Sequence, residues 1–160
     1  MADTAEPLTL TRPAPRVALL GRFGLSGADG ADLTPRSRKA RALAAYVLMA
    51  GAPVPRERLK TLLWGDRGED QAAASLRQAL YELRDLAAAP DPLLGVDRHQ
   101  VWAEHRGRCD VSEIEAAASA GDTAAVAAAL GAGATPLADL DGAGPEFDDW
   151  LRDERARLRE

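Results

Sequence analysis

The stretch RERLKTLLWGDRGEDQAAASLRQALYELRDLAA, residues 56–88, decides the fold. In residues 56–64, Leu59, Leu62 and Leu63 share one side while Arg56, Glu57, Arg58 and Lys60 fall largely opposite, the spacing of a short amphipathic helix. A polar loop, residues 65–70, leads to a further helix running from Gln71 to about Ala88, where Leu76, Leu80 and Leu83 form a narrow apolar stripe. If that stripe docks inward, Ser75, Arg77, Gln78, Tyr81, Glu82, Arg84 and Asp85 are left facing outward.

Upstream, Pro35 ends an extended stretch and Ser37 is placed to cap a helix in which Ala40, Leu43, Ala44, Val47 and Leu48 recur at helical spacing up to Gly51. Residues 52–55 read as a connector. Residues 16–33 hold short apolar stretches broken by glycine and predict a small antiparallel sheet, with Gly27 and Gly30 bracketing its turn. Residues 1–15, with three prolines and no period, read as a disordered lead-in.

Downstream, Pro90 and Pro92 stop the helix, and residues 93–104 read as two short strands around a tip at residues 97–100. From Asp110 the pattern is helical again: Ser112 and Asp122 are placed to cap segments, and Pro145 opens a last amphipathic helix with Phe147, Trp150, Leu151 and Leu158 on its apolar side. The expected fold is therefore mainly α with small β, a winged helix-turn-helix with an N-terminal antiparallel sheet and a C-terminal hairpin wing, followed by a short α-helical region. The expected divisions are residues 1–15, 16–109 and 110–160.

The chain has 160 residues and a formal net charge of −5, which by itself argues against a nucleic-acid partner. The distribution argues otherwise. Residues 1–109 hold 16 Lys/Arg against 13 Asp/Glu, residues 110–160 hold 4 against 12, and residues 35–84 hold 10 against 5, so a local basic surface survives. Neither a leader peptide nor a membrane span is evident, and a cytoplasmic, nucleoid-associated location is expected. The single Cys109 has no disulfide partner and, with only His99 and His105 nearby, makes a poor zinc site. No glycine-rich phosphate loop, nucleophile–base pair or metal-ligand spacing is present, so the expectation is no enzyme, no cofactor and no metal.

The outward face of the helix from Gln71 carries the functional reading. Arg and Gln side chains make bidentate contacts to guanine and adenine edges, which singles out Arg77 and Gln78, and the hydroxyls of Ser75 and Tyr81 suit phosphate or base contacts. The bland alternative is that Arg77 and Arg84 are solvated helix charges with their stems packed on the helix. Trp64 and Trp102 end apolar elements and are expected in the core, and His99, at a hairpin tip, is a weak candidate for a contact.

The phrases RKARALAAY (38–46), RERLKTLLW (56–64), ASLRQALYELR (74–84) and DDWLRDERARLR (148–159) together resemble the SARP-type transcriptional regulators (Streptomyces antibiotic regulatory proteins), over nearly everything from Leu19 onward. The resemblance implies an OmpR/PhoB-like winged helix followed by a truncated activation domain of helical hairpins. It implies that the helix from Gln71 reads double-stranded DNA through Ser75, Arg77, Gln78, Tyr81 and Arg84. It implies that Arg98 and His99 form the wing tip, with Arg106 and Arg108 just beyond. It also implies that the loop holding Asp66, Arg67 and Glu69 meets RNA polymerase, so that the chain activates transcription by recruitment.

Two matters stay open on the sequence. Glu82 and Asp85 on the outward face, with the net acidic charge, suit a protein-interaction adaptor or a competitor of a longer paralogue as an alternative to a DNA reader. The Phe147/Trp150/Leu151 side of the last helix closes either on the winged helix or on a second copy, as a homodimer.

Overall fold

A computed structural model of the chain describes residues 16–27, 31–86, 93–104, 109–130 and 135–159. The expected lead-in, Gly30, the helix end at Ala88, Pro90, Pro92, His105, Arg106 and Arg108 lie outside the described residues, as does the side chain of Asp85.

The chain opens with β1 (Arg16–Ala18) and β2 (Gly24–Ser26), an antiparallel pair with Val17 opposite Leu25. Their turn is centred on Gly21, which takes a positive φ of 84°, and not on the Gly27–Gly30 stretch expected from sequence. Both stretches have turn chemistry; the first becomes the hairpin turn because distant backbone binds it. Gly21 donates to Thr135 O (3.1 Å) and its carbonyl accepts from Ala138 N (2.9 Å). Gly27 lies in a second bend, where Leu33 N returns to Leu25 O (2.8 Å).

Helix α1 (Arg38–Ala50) starts as its sequence dictates: the Ser37 hydroxyl accepts from Ala40 N, and Gly51 ends it in the left-handed region at φ 76°. Seven of its residues, including Leu43, Ala44, Val47 and Leu48, are buried, so it forms the centre of the core. The expected connector contains a strand: β3 (Val54–Pro55) pairs with β5 (Gln100–Ala103), which also pairs with β4 (Leu94–Val96), giving an antiparallel sheet in the order β3-β5-β4. Pro55 is tolerated because β3 is an edge strand.

Helix α2 (Arg56–Trp64) buries Leu59, Leu62, Leu63 and Trp64, and α3 (Glu69–Leu86) buries Ala72, Leu76, Ala79, Leu80 and Leu83. Helix α3 starts two residues before Gln71, so Glu69 and Asp70 form its first turn, where the helix dipole favours acids. The connection between α2 and α3 is only residues 65–68.

The C-terminal part is α4 (Asp110–Ser119), α5 (Thr123–Leu130) and α6 (Pro145–Arg159). Helix α4 is not capped by Ser112, as expected, but begins after Cys109. The Asp110 carboxylate at its start accepts from Leu19 N (2.9 Å), Leu20 N (3.0 Å) and Val111 N (2.8 Å), so one acid serves two elements. Asp122 does cap α5, accepting from Ala125 N at 3.1 Å. Cys109 is buried, and burial pushes its thiol up to about 11, which leaves it unreactive.

Residues 135–144 act as a strap. Leu137 N donates to Leu19 O (2.9 Å), Asp139 accepts from Phe23 N (2.8 Å) and meets Arg41 Nε (3.3 Å), and Leu137, at φ 52°, is buried. Arg155 of α6 pins the strap, donating to Pro136 O (2.9 Å), Leu137 O (3.1 Å) and both oxygens of Asp141 (2.8 and 3.1 Å). Phe147 and Leu151 of α6 are buried in the same cluster as the leucines of α2, and Trp150 meets Tyr46 of α1 edge-on at 4.8 Å. Phe147, Trp150 and Leu151 of α6 therefore pack on the helices of their own chain. Residues of β1–β5, α1–α4, the 135–144 strap and α6 belong to one hydrophobic core.

Candidate nucleic-acid interface

With the Leu76 and Leu83 side of α3 buried, Ala74, Gln78 and Tyr81 fall on the opposite side of the helix, and all three are exposed. Arg77 and Arg84, seven residues apart, form the flank toward the β4–β5 hairpin; Arg84 lines a cleft there. Ser75 and Glu82, also seven apart, form the other flank, and their contacts fix it against neighbouring elements. Ser75 Oγ accepts from Arg67 Nη1 (3.3 Å), and Glu82 Oε1 accepts from Ser37 N (3.4 Å).

The face is thus sorted by partner. Arg77, Gln78, Tyr81 and Arg84 are exposed and make no hydrogen bond or ion pair among the described residues. Tyr81, 66% exposed, and Val96, 42%, are the exposed large apolar side chains of the described residues, and both lie on this side. Glu82, read from sequence as outward, is half-buried and helps hold the start of α1. Glu69 is neutralised by Lys60, which also meets Glu57. Glu82 and Glu69, acids on or beside this face, thus have partners within the chain.

The hairpin tip is built by Asp97, whose Oδ1 accepts from His99 N and Gln100 N, each at 2.7 Å. Those bonds hold its carboxyl below the usual carboxylate range. Arg98 and His99 project exposed from the tip. Arg56, the first residue of α2, donates its backbone N–H to His99 O (2.8 Å), tying the tip to the start of α2; its Nε is buried with no hydrogen-bond partner among the described residues. Sequence reasoning did not single out Arg56, because its relation to the tip depends on the β3–β5 pairing.

Between α3 and the hairpin lies a cleft of about 340 Å³, lined by Leu80, Leu83, Arg84, Leu93, Leu94, Gly95, Val96, Trp102 and Glu104. Trp102 is not in the core as expected but stands half-buried on this wall, its Nε1 donating to Glu104 Oε1 (2.8 Å). Gly95 is required beneath it, since a Cβ there would lie 2.1 Å from Trp102 Nε1. Trp64 is buried, with Lys39 Nζ 5.8 Å above its ring and bonded to Leu63 O. Partial burial pulls the Lys39 amine below its ordinary value.

The α2–α3 turn holds the remaining candidates. Asp66, Arg67 and Glu69 are exposed; Arg67 and Glu69 are engaged with Ser75 and Lys60, whereas Asp66 makes no hydrogen bond among the described residues. No described helix is long and apolar enough to cross a membrane, and no group of three metal-ligating side chains occurs among the described residues.

No family model and no curated protein matches the chain. Among solved structures it is similar to Mycobacterium tuberculosis EmbR in complex with a low-affinity phosphopeptide, with a TM-score of 0.68 at 22% sequence identity. The likeness covers 91% of this chain and 44% of the EmbR chain, so the chain spans less than half the length of that protein. What the likeness shows is the fold: helical with small antiparallel sheets, in the winged-helix-like arrangement that the matched part of EmbR shares.

Proposed function

We propose that this chain is a sequence-specific, double-stranded-DNA-binding regulator of transcription of the SARP type, acting by binding and not by chemistry. The observation that carries the reading is the outward face of α3. Arg77, Gln78, Tyr81 and Arg84 stand exposed, with no hydrogen-bond or ion-pair partner among the described residues, on a helix whose other sides are committed to the core, to Arg67 and to the start of α1. In this reading α3 lies in the major groove, with Arg77 on a guanine edge, Gln78 on an adenine edge and Arg84 on the backbone. Ser75, whose hydroxyl Arg67 holds, meets phosphate, and Arg98 and His99 of the hairpin tip reach the neighbouring backbone or minor groove. The short α2–α3 turn, through Asp66, Arg67 and Glu69, is the surface for RNA polymerase, which makes the chain an activator.

A protein-binding adaptor is the second reading, favoured by the net charge of −5 and by Asp70 exposed at the start of α3. Titration of labelled duplex DNA at two salt concentrations separates the two. A DNA reader loses affinity steeply with salt, by a log–log slope of roughly 0.9 per phosphate neutralised. Absence of duplex binding at low salt, with saturable binding to RNA polymerase alone, overturns the DNA reading in favour of the adaptor.

A further inference from the structure

The most exposed large apolar side chain among the described residues is Tyr81, at 66%, and it sits at the centre of the outward face of α3. A ring in that position has lost the shelter a fold normally gives it and forms no hydrogen bond among the described residues. It lies three residues after Gln78 and seven after Ala74, both also exposed, so the three make one ridge along the helix. Over these three residues the ridge runs apolar, amide, apolar, and the helical period continues it one turn on to position 85, an aspartate. At about 1.5 Å of rise per residue the three span roughly 10 Å, about three base-pair steps at 3.4 Å each.

Each member matches a major-groove feature of A·T pairs. An amide is the bidentate partner of adenine N6 and N7, and an apolar side chain packs on the thymine 5-methyl, the one apolar group on the groove floor. The guanidinium that would read guanine, Arg77, stands off this ridge on the flank toward the hairpin, as Arg84 does. We infer that Tyr81 is a specificity-determining residue that packs its ring on a thymine methyl beside an adenine read by Gln78, so that the site is an A·T step flanked on the hairpin side by the guanine of Arg77. This rests on the DNA-reading proposal above and specifies the bases at its centre.

The test uses the whole chain and a duplex selected by it from a random pool. Replacing the central thymine by deoxyuridine removes only the methyl, and should weaken binding by about fourfold, the worth of one buried methyl-sized group. Replacing the neighbouring adenine by 7-deaza-adenine removes the N7 acceptor and should cost about fivefold or more. Tyr81→Phe should bind as the natural chain does and keep the deoxyuridine penalty, whereas Tyr81→Ala should bind more weakly and lose that penalty. Because Tyr81 is exposed, both variants should fold, which thermal unfolding checks.

Selective binding with no deoxyuridine penalty overturns the methyl contact while leaving the DNA reading intact. So does a Tyr81→Phe variant as weak as Tyr81→Ala, which would assign the hydroxyl to a phosphate. A pool that yields no selected duplex overturns both the contact and the reading on which it stands.

Discussion

The arginines of α6 and those of α3 are the same residue in the same kind of element, put to opposite uses. On α6, Arg152, Arg155 and Arg157 each meet an acid: Asp149, Asp141, and Glu154 with Glu115. On α3, Arg77 and Arg84 meet none among the described residues, although Glu82 is on the same helix. Glu82 turns instead to the backbone of Ser37. On α6 the chain itself supplies the counter-charge; on α3 none is supplied among the described residues, and the proposed DNA reading has the partner come from outside.

This contrast fixes what substitutions should do. The largest effect belongs to the apolar side of α6. Phe147→Ala should cost about 3–5 kcal/mol of stability in urea unfolding, because a fully buried ring leaves a cavity among the leucines of α2. If it costs under about 1 kcal/mol, α6 is not part of the common core.

Next comes Arg155→Ala, expected to cost about 2–3 kcal/mol through the loss of charged hydrogen bonds to Pro136, Leu137 and Asp141, while duplex affinity of the folded protein stays unchanged. Arg77→Ala should show the reverse: stability within about 0.5 kcal/mol of the natural chain, and duplex affinity lower by about 1–3 kcal/mol with relaxed preference at one base. An exchange of these two outcomes would abolish the distinction between the helices.

Acid gives a smaller effect of known sign. The Arg155 hydrogen bond holds the Asp141 carboxyl below its ordinary value. A carboxyl lowered in the folded state contributes stability that is complete above the unfolded value, about 3.9, and is lost as pH falls through the lower folded value. The stability gap between the natural chain and Asp141→Asn should therefore be constant down to about pH 4 and close below it. A gap unchanged at pH 2 would mean that Arg155 does not act through this charge. The smallest effect is at Arg152, whose pair with Asp149 is exposed on both sides; Arg152→Ala should move stability by less than about 0.5 kcal/mol.

Much of the fold could be read from the sequence because its signals are local. Ser37 and Gly51 bound α1 as their chemistry requires, Pro145 opens α6, and the leucine periods of α2 and α3 specify their buried sides. What escaped reading depends on distant partners. The first turn sits at Gly21 because residues 135–138 bind it; Val54–Pro55 is a strand because Val101 lies opposite; Ser112 loses its cap role because Asp110 serves Leu19 and Leu20. Residues 135–144 have no period, since their function is to connect separate elements.

The candidate site divides in the same way. Exposure of Arg77, Gln78, Tyr81 and Arg84 follows from the helical period alone. The inward turn of Glu82 and the grip of Arg67 on Ser75 follow from α1 and from the tightness of the α2–α3 turn, which no period reveals.

Affinity selection of fragmented genomic DNA by the purified chain, beside Arg77→Ala and at two salt concentrations, asks whether the exposed face of α3 reads bases. The expected result is one shared motif for the natural chain, weakened by salt and degenerate at a single position in the variant. Equal enrichment of all fragments by both proteins, or none at low salt, would contradict it.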